Sequence, residues 1–141
     1  MSSALENDLN PNTYIGLSFP IRRDKFNDFA MTKNSLQQAK HNLKNLLLTF
    51  PGERVHQPLF GSKLRALCFE QIDDNLPTRI EEEIRRSVGD WLPYINIIEV
   101  ATLTEEGDKS KIFVNIKYST VLNSQSLEQI TLDVSYTAER Y

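Results

Sequence analysis

Ile112-Phe113-Val114-Asn115-Ile116-Lys117-Tyr118-Ser119 and Gln129-Ile130-Thr131-Leu132-Asp133-Val134-Ser135-Tyr136 are the stretches that decide the fold. In the first, Ile112, Val114, Ile116 and Tyr118 are separated by polar Asn115 and Lys117. In the second, Ile130, Leu132, Val134 and Tyr136 alternate with Gln129, Thr131, Asp133 and Ser135. A period of two sends successive side chains to opposite faces, so each stretch reads as a half-buried antiparallel strand. Upstream, residues 95–104 form another strand, untidy at Ile97-Ile98. Glu105-Glu106-Gly107-Asp108-Lys109 is a turn-rich hairpin loop. Asn123-Ser124-Gln125-Ser126 is expected to make the second connection, with the last strand over residues 128–137.

Before residue 95 the period is helical. Leu36, Ala39, Leu43, Leu46 and Leu47 line one face of a helix expected over residues 35–49, with Lys40, Lys44 and Asn45 off that face. Ser35 is the expected N-cap, and Pro51-Gly52 stops the helix. A structured turn, Pro51-Gly52-Glu53-Arg54, leads to Pro58-Leu59-Phe60-Gly61. Ser62 is then placed to cap a short helix through residue 70, buried by Leu64, Leu67 and Cys68. A third helix is expected over residues 76–92, with Asn75 as cap and Pro77 in its first turn, where a missing N–H costs nothing. Ile80, Ile84, Val88 and Trp91 form its apolar stripe. Glu82 and Arg86 are expected to pair four residues apart. Pro93 ends the helix.

Three helices followed by a three-stranded antiparallel meander make an α+β domain. The polar residues 1–13 read as an extended or disordered arm, and residues 14–141 as one domain. Leu17, Phe19 and Ile21 are expected to pin an irregular segment to a surface or partner. The last strand has no proline, no lysine and only Asp133 as an internal charge, so its edge lacks the usual protection against strand pairing.

Charge and composition exclude several functions. A net charge of −3 gives no basic field for nucleic acid or an anionic membrane. A single cysteine, Cys68, rules out an internal disulfide and reads as a small core residue. No apolar run approaches a membrane span, and the first dozen residues lack a secretion signal, so a soluble protein made in a cytoplasm is expected. The five glycines are scattered and form no phosphate loop; His41 and His56 are isolated from any metal-ligand spacing. No cofactor is expected. Paired carboxylates of a glycoside hydrolase, such as Glu53 with Glu70 or Asp73, are the enzymatic alternative. Arg54 beside Glu53 works against the raised pKa that such chemistry requires.

Taken in order, Gly16-Leu17-Ser18-Phe19-Pro20, Leu48-Thr49, Pro51-Gly52-Glu53-Arg54, Pro58-Leu59-Phe60-Gly61-Ser62 and Leu67-Cys68-Phe69-Glu70 resemble the baseplate wedge, or sheath-initiator, family of contractile-tail phages. Subunits of type VI secretion and related injection machines belong to it too, and some members carry a lysozyme label. The resemblance implies a non-catalytic subunit of the virion tail baseplate, present in sixfold copies around the tube. Its implied partners are other wedge proteins, tail sheath protein, and tail tube or tube-initiator proteins. It also implies that incoming sheath strands extend the C-terminal sheet, which places strand pairing at Gln129, Ile130, Thr131, Leu132, Asp133, Val134, Ser135 and Tyr136. The family's Glu-Pro-Arg patch, which meets the core bundle of neighbouring wedge proteins, is replaced here by Leu92-Pro93-Tyr94. The charged contact therefore does not carry over, and Trp91, Leu92, Pro93 and Tyr94 are expected to make a more apolar one. A monomer before assembly is expected, since no heptad seam is visible. A tail-associated peptidoglycan hydrolase and a subunit of a phage-derived injector are the alternatives.

Overall fold

A computed structural model describes residues 4–10, 12–19, 21–70, 73–105 and 108–134. In chain order the elements are α1 (Ala4–Leu9), β1 (Gly16–Leu17), β2 (Met31–Thr32), α2 (Ser35–Leu48), α3 (Leu64–Phe69), α4 (Leu76–Trp91), β3 (Ile95–Glu105), β4 (Asp108–Thr120) and β5 (Asn123–Asp133). β1 pairs with β2, and β3, β4 and β5 form an antiparallel sheet in that order. The apolar face of the three-stranded sheet, carrying Ile112, Val114, Ile116, Tyr118, Ile130 and Leu132, packs on Leu43, Leu46 and Leu47 of α2 and Ile80, Ile84 and Val88 of α4 in one core. The expected α+β architecture is the observed one.

Several boundaries differ from the sequence reading, each for a local reason. Part of the polar arm is helical, and its Asp8 carboxylate accepts hydrogen bonds from the Ser35 main-chain N–H (2.8 Å) and hydroxyl (2.9 Å). Ser35 is thus held from outside, and Asn34 is the true N-cap of α2, accepting from the Gln37 N–H at 2.8 Å. Ser62 accepts from the Leu64 N–H at 3.2 Å but lies one residue outside the cap position of α3. Asn75 makes no side-chain cap; Asp73 instead accepts from the Asn75 N–H at 3.1 Å. Arg86 pairs with Glu83 and Asp90, not with Glu82, and Arg85 takes Glu81.

The sheet resolves the untidy strand. Ile97 pairs with Tyr118 and Glu99 with Lys117, which leaves Ile98 as the extra residue of a β-bulge, half exposed. Arg85 of α4 donates to the Ile97 carbonyl at 2.9 Å, and Lys117 reaches Glu99 at 2.6 Å across the bulge. The second hairpin turns earlier than expected, at Val121-Leu122, with Thr120 opposite Asn123. Residues 124–127 then lie opposite Ser119 alone, and regular pairing resumes at Tyr118 and Glu128. The polar run at 123–126 is therefore an excursion inside β5 and not the turn. β5 covers Asn123–Asp133 among the described residues; Ser135, Tyr136 and Thr137 of the expected strand lie outside them, as do Glu106 and Gly107 of the first hairpin.

Candidate functional site

Three places on the molecule gather the residues singled out in the sequence. The first is the connection from α2 to α3. Gly52 N–H donates to the Pro58 carbonyl at 2.6 Å, Ser62 N–H to Thr49 O at 2.8 Å, and Glu53 N–H to Phe50 O at 3.1 Å. The Glu53 carboxylate returns to accept from the Phe50 N–H at 3.0 Å and lies 3.9 Å from Arg65. Gly52 and Gly61 have φ of +99° and +131°, a region open mainly to glycine. At Gly61 a Cβ would also stand 2.5 Å from the Thr49 carbonyl oxygen. Phe60 is buried under this loop, with the Arg54 guanidinium 4.0 Å above its ring and Trp91 against its edge. Pro51, Gly52, Glu53, Arg54, Phe60 and Gly61 thus build a closed buttress on α4.

Glu83 locks that buttress, and nothing in its sequence context marked it. Its carboxylate accepts from the Lys63 N–H at 2.8 Å, from the Ser62 and Ser87 hydroxyls at 3.3 and 3.2 Å, and pairs with Arg86 at 2.7 Å. Partial burial opposes its charge, but the Arg86, Lys63 and Ser87 bonds outweigh this and hold its pKa below the ordinary value. Only tertiary structure brings Lys63 to Glu83.

The second place is the end of α4, where the sequence reading grouped four residues. The structure divides them. Leu92 belongs to the core, being 8% exposed, while Trp91 is partly buried and packs against it. Pro93 and Tyr94 are exposed, and Tyr94 accepts a hydrogen bond from Asn42 Nδ2 at 2.8 Å. Tyr94 lines an apolar groove of about 280 Å³ together with Ile15, Ala39, Val121 and Leu122. The turn residues Val121 and Leu122 lack the Gly, Asn or Asp of a common hairpin turn, so sequence gave no signal for them.

The third place is the outer edge of β5. Val134 N–H donates to the Ile112 carbonyl, so alternate residues Glu128, Ile130, Leu132 and Val134 address β4. The main-chain groups of Gln129, Thr131 and Asp133 consequently point away from the sheet. Among the described residues no other element pairs with the main chain of Gln129 or Thr131.

The hydrolase carboxylates are engaged elsewhere. Glu70 and Asp73 both pair with Arg79, while Glu53 closes its own loop. Burial pushes the Cys68 thiol up to about 11, which keeps it protonated. Among the described residues no three His, Cys, Asp or Glu side chains gather as metal ligands, and no helix is long and apolar enough to cross a membrane.

Residues 34–125 match the family described as baseplate wedge protein gp25. The chain belongs to that family. It is 28% identical over 100 residues to baseplate wedge protein gp25 of Enterobacteria phage T4, covering 71% of this chain and 75% of the relative. The fold is shared with a Geobacter sulfurreducens protein given a tail-lysozyme name (TM-score 0.66, 21% identity, 79% of this chain and all of that one). It is shared too with a chain of the anti-feeding prophage baseplate (TM-score 0.65, 23% identity, 74% and 82%). A chain of the type VI secretion baseplate complex aligns at TM-score 0.55 and 13% identity over 70% and 90%. The protein is a baseplate wedge subunit of a contractile-tail system. The three places described above are surfaces and supports of that subunit.

Proposed function

We propose that this wedge subunit is non-catalytic, docks on the wedge core and starts the sheath by adding sheath strands to the free edge of β5. The observation that carries the reading is the outward-directed main chain of Gln129 and Thr131 on a strand without protective proline or lysine. Each added main-chain bond contributes about 0.5–1.5 kcal/mol net. Half a dozen give roughly 3–9 kcal/mol, against an association cost of about 4–15 kcal/mol. A single copy therefore holds a sheath strand weakly, and a ring of copies, sixfold in this reading, holds it by avidity. Within the described residues the outward main chain of Gln129 and Thr131 is the centre of the pairing.

Docking on the wedge core uses Pro93 and Tyr94 with Ile15, Val121 and Leu122. Tyr94, Ile15, Val121 and Leu122 line one apolar groove, and Pro93 precedes Tyr94 at the position of the family's charged patch. The hydrolase alternative has less support, because Glu53, Glu70 and Asp73 are tied to Arg65 and Arg79 on an open surface and not set across a cleft. Removing the protein and imaging the particles by negative-stain electron microscopy tests the reading. Missing baseplates or tubes without extended sheath are expected. Normal contractile tails that only fail to penetrate a cell wall would overturn it in favour of the hydrolase.

A further inference from the structure

Beside the free edge of β5 runs a groove of about 360 Å³ lined by Gln129, Ile130 and Thr131 on one side and by Lys40, His41 and Lys44 of α2 on the other. Phe19 closes it, its main chain held against the His41 ring, whose Nδ1 is 3.0 Å from the Phe19 nitrogen and 2.7 Å from its oxygen. Lys40 and Lys44 have no ion-pair or hydrogen-bond partner among the described residues. This contrasts with α4, where Arg79, Arg85 and Arg86 are all paired. Two unpaired cations beside an open strand edge, in a chain of net charge −3, set a local field opposite to that of the whole molecule.

We infer that this groove selects an extended partner segment carrying carboxylates at alternate positions. The inference rests on strand addition at β5 and specifies what is added. A strand seated on the edge turns every second side chain toward the helix-packed face, the side on which α2 lies. Those side chains recur about every 6.6 Å, two strand steps. Lys40 and Lys44 are one helical turn apart, with Cβ atoms about 5–6 Å from each other. An acid-x-acid segment therefore places one carboxylate near each ammonium, while a lysine-bearing segment meets like charge at both. Opposite charge in this position discriminates between partner strands and fixes register more than it adds affinity.

Three ten-residue peptides of alternating valine with glutamate, glutamine or lysine test this against the full chain. Affinity is read by fluorescence anisotropy and the Gln129 and Thr131 amides by NMR. The glutamate peptide is expected to bind on the order of tenfold more tightly than the glutamine peptide at low ionic strength and to shift both amides. The doubly reversed K40E/K44E chain is expected to prefer the lysine peptide, and the milder K40Q/K44Q chain to lose the preference. Equal affinity of all three peptides with shifted Gln129 and Thr131 amides overturns the acid preference and leaves strand addition standing. Absence of any shift at those amides overturns both.

Discussion

Trp91 meets Phe60 edge-on, with ring centroids 5.1 Å apart and planes inclined by 72°. This contact joins the loop after α2 to the end of α4 through a partly buried Trp91. Phe60→Ala is expected to lower stability by about 3 kcal/mol, the usual cost of emptying a buried aromatic site. Trp91 is the sole tryptophan, so urea unfolding followed by its fluorescence reads the loss directly.

Glu83 should make stability depend on pH. Its folded pKa is depressed, so its contribution is fully present above the unfolded value of about 4.3 and fades as pH falls through the folded value. Glu83→Gln is expected to cost about 1–2 kcal/mol at pH 7. The difference from the parent chain should shrink steadily below about pH 4. Urea midpoints across pH 3–7 check both the sign and the window.

The two left-handed glycines are not equivalent. Gly52 has nothing within 4 Å of a built Cβ, so Gly52→Ala pays only for its φ, about 1–2 kcal/mol. At Gly61 the Cβ would collide with the Thr49 carbonyl and with the main chain of Phe50 and Pro51. Gly61→Ala should therefore cost more than twice as much, measured as the shift in urea midpoint.

Docking through the groove at Tyr94 makes a separate prediction. Tyr94 and Leu122 are 39% and 45% exposed, so replacing both by serine is expected to change stability by less than about 1 kcal/mol. The same pair should abolish incorporation into baseplates, read by imaging of the assembled particles. Leu92→Ser is unsuitable for that purpose, because Leu92 is core and its loss would unfold the chain.

Much of this was legible in the sequence, and the failures have physical causes. Strict alternation at Ile112 to Tyr118 and at Ile130 to Val134 located the sheet, because burial on one face enforces the period. The apolar stripe of Ile80, Ile84 and Val88 located α4 for the same reason. Val121-Leu122 escaped notice because neither residue is the Gly, Asn or Asp of a common hairpin turn. Lys40, Lys44 and Glu83 looked like ordinary solvated charge, since their meaning depends on neighbours 20 to 90 residues away in the chain.

The central claim is that β5 receives sheath strands, and Thr131→Pro tests it most directly. The Thr131 N–H points away from β4, so proline there removes an outward donor while sparing the β4–β5 ladder. Particles carrying this variant are expected to contain complete baseplates and bare tubes, with no extended sheath by electron microscopy. Full-length sheath on those particles would contradict the account.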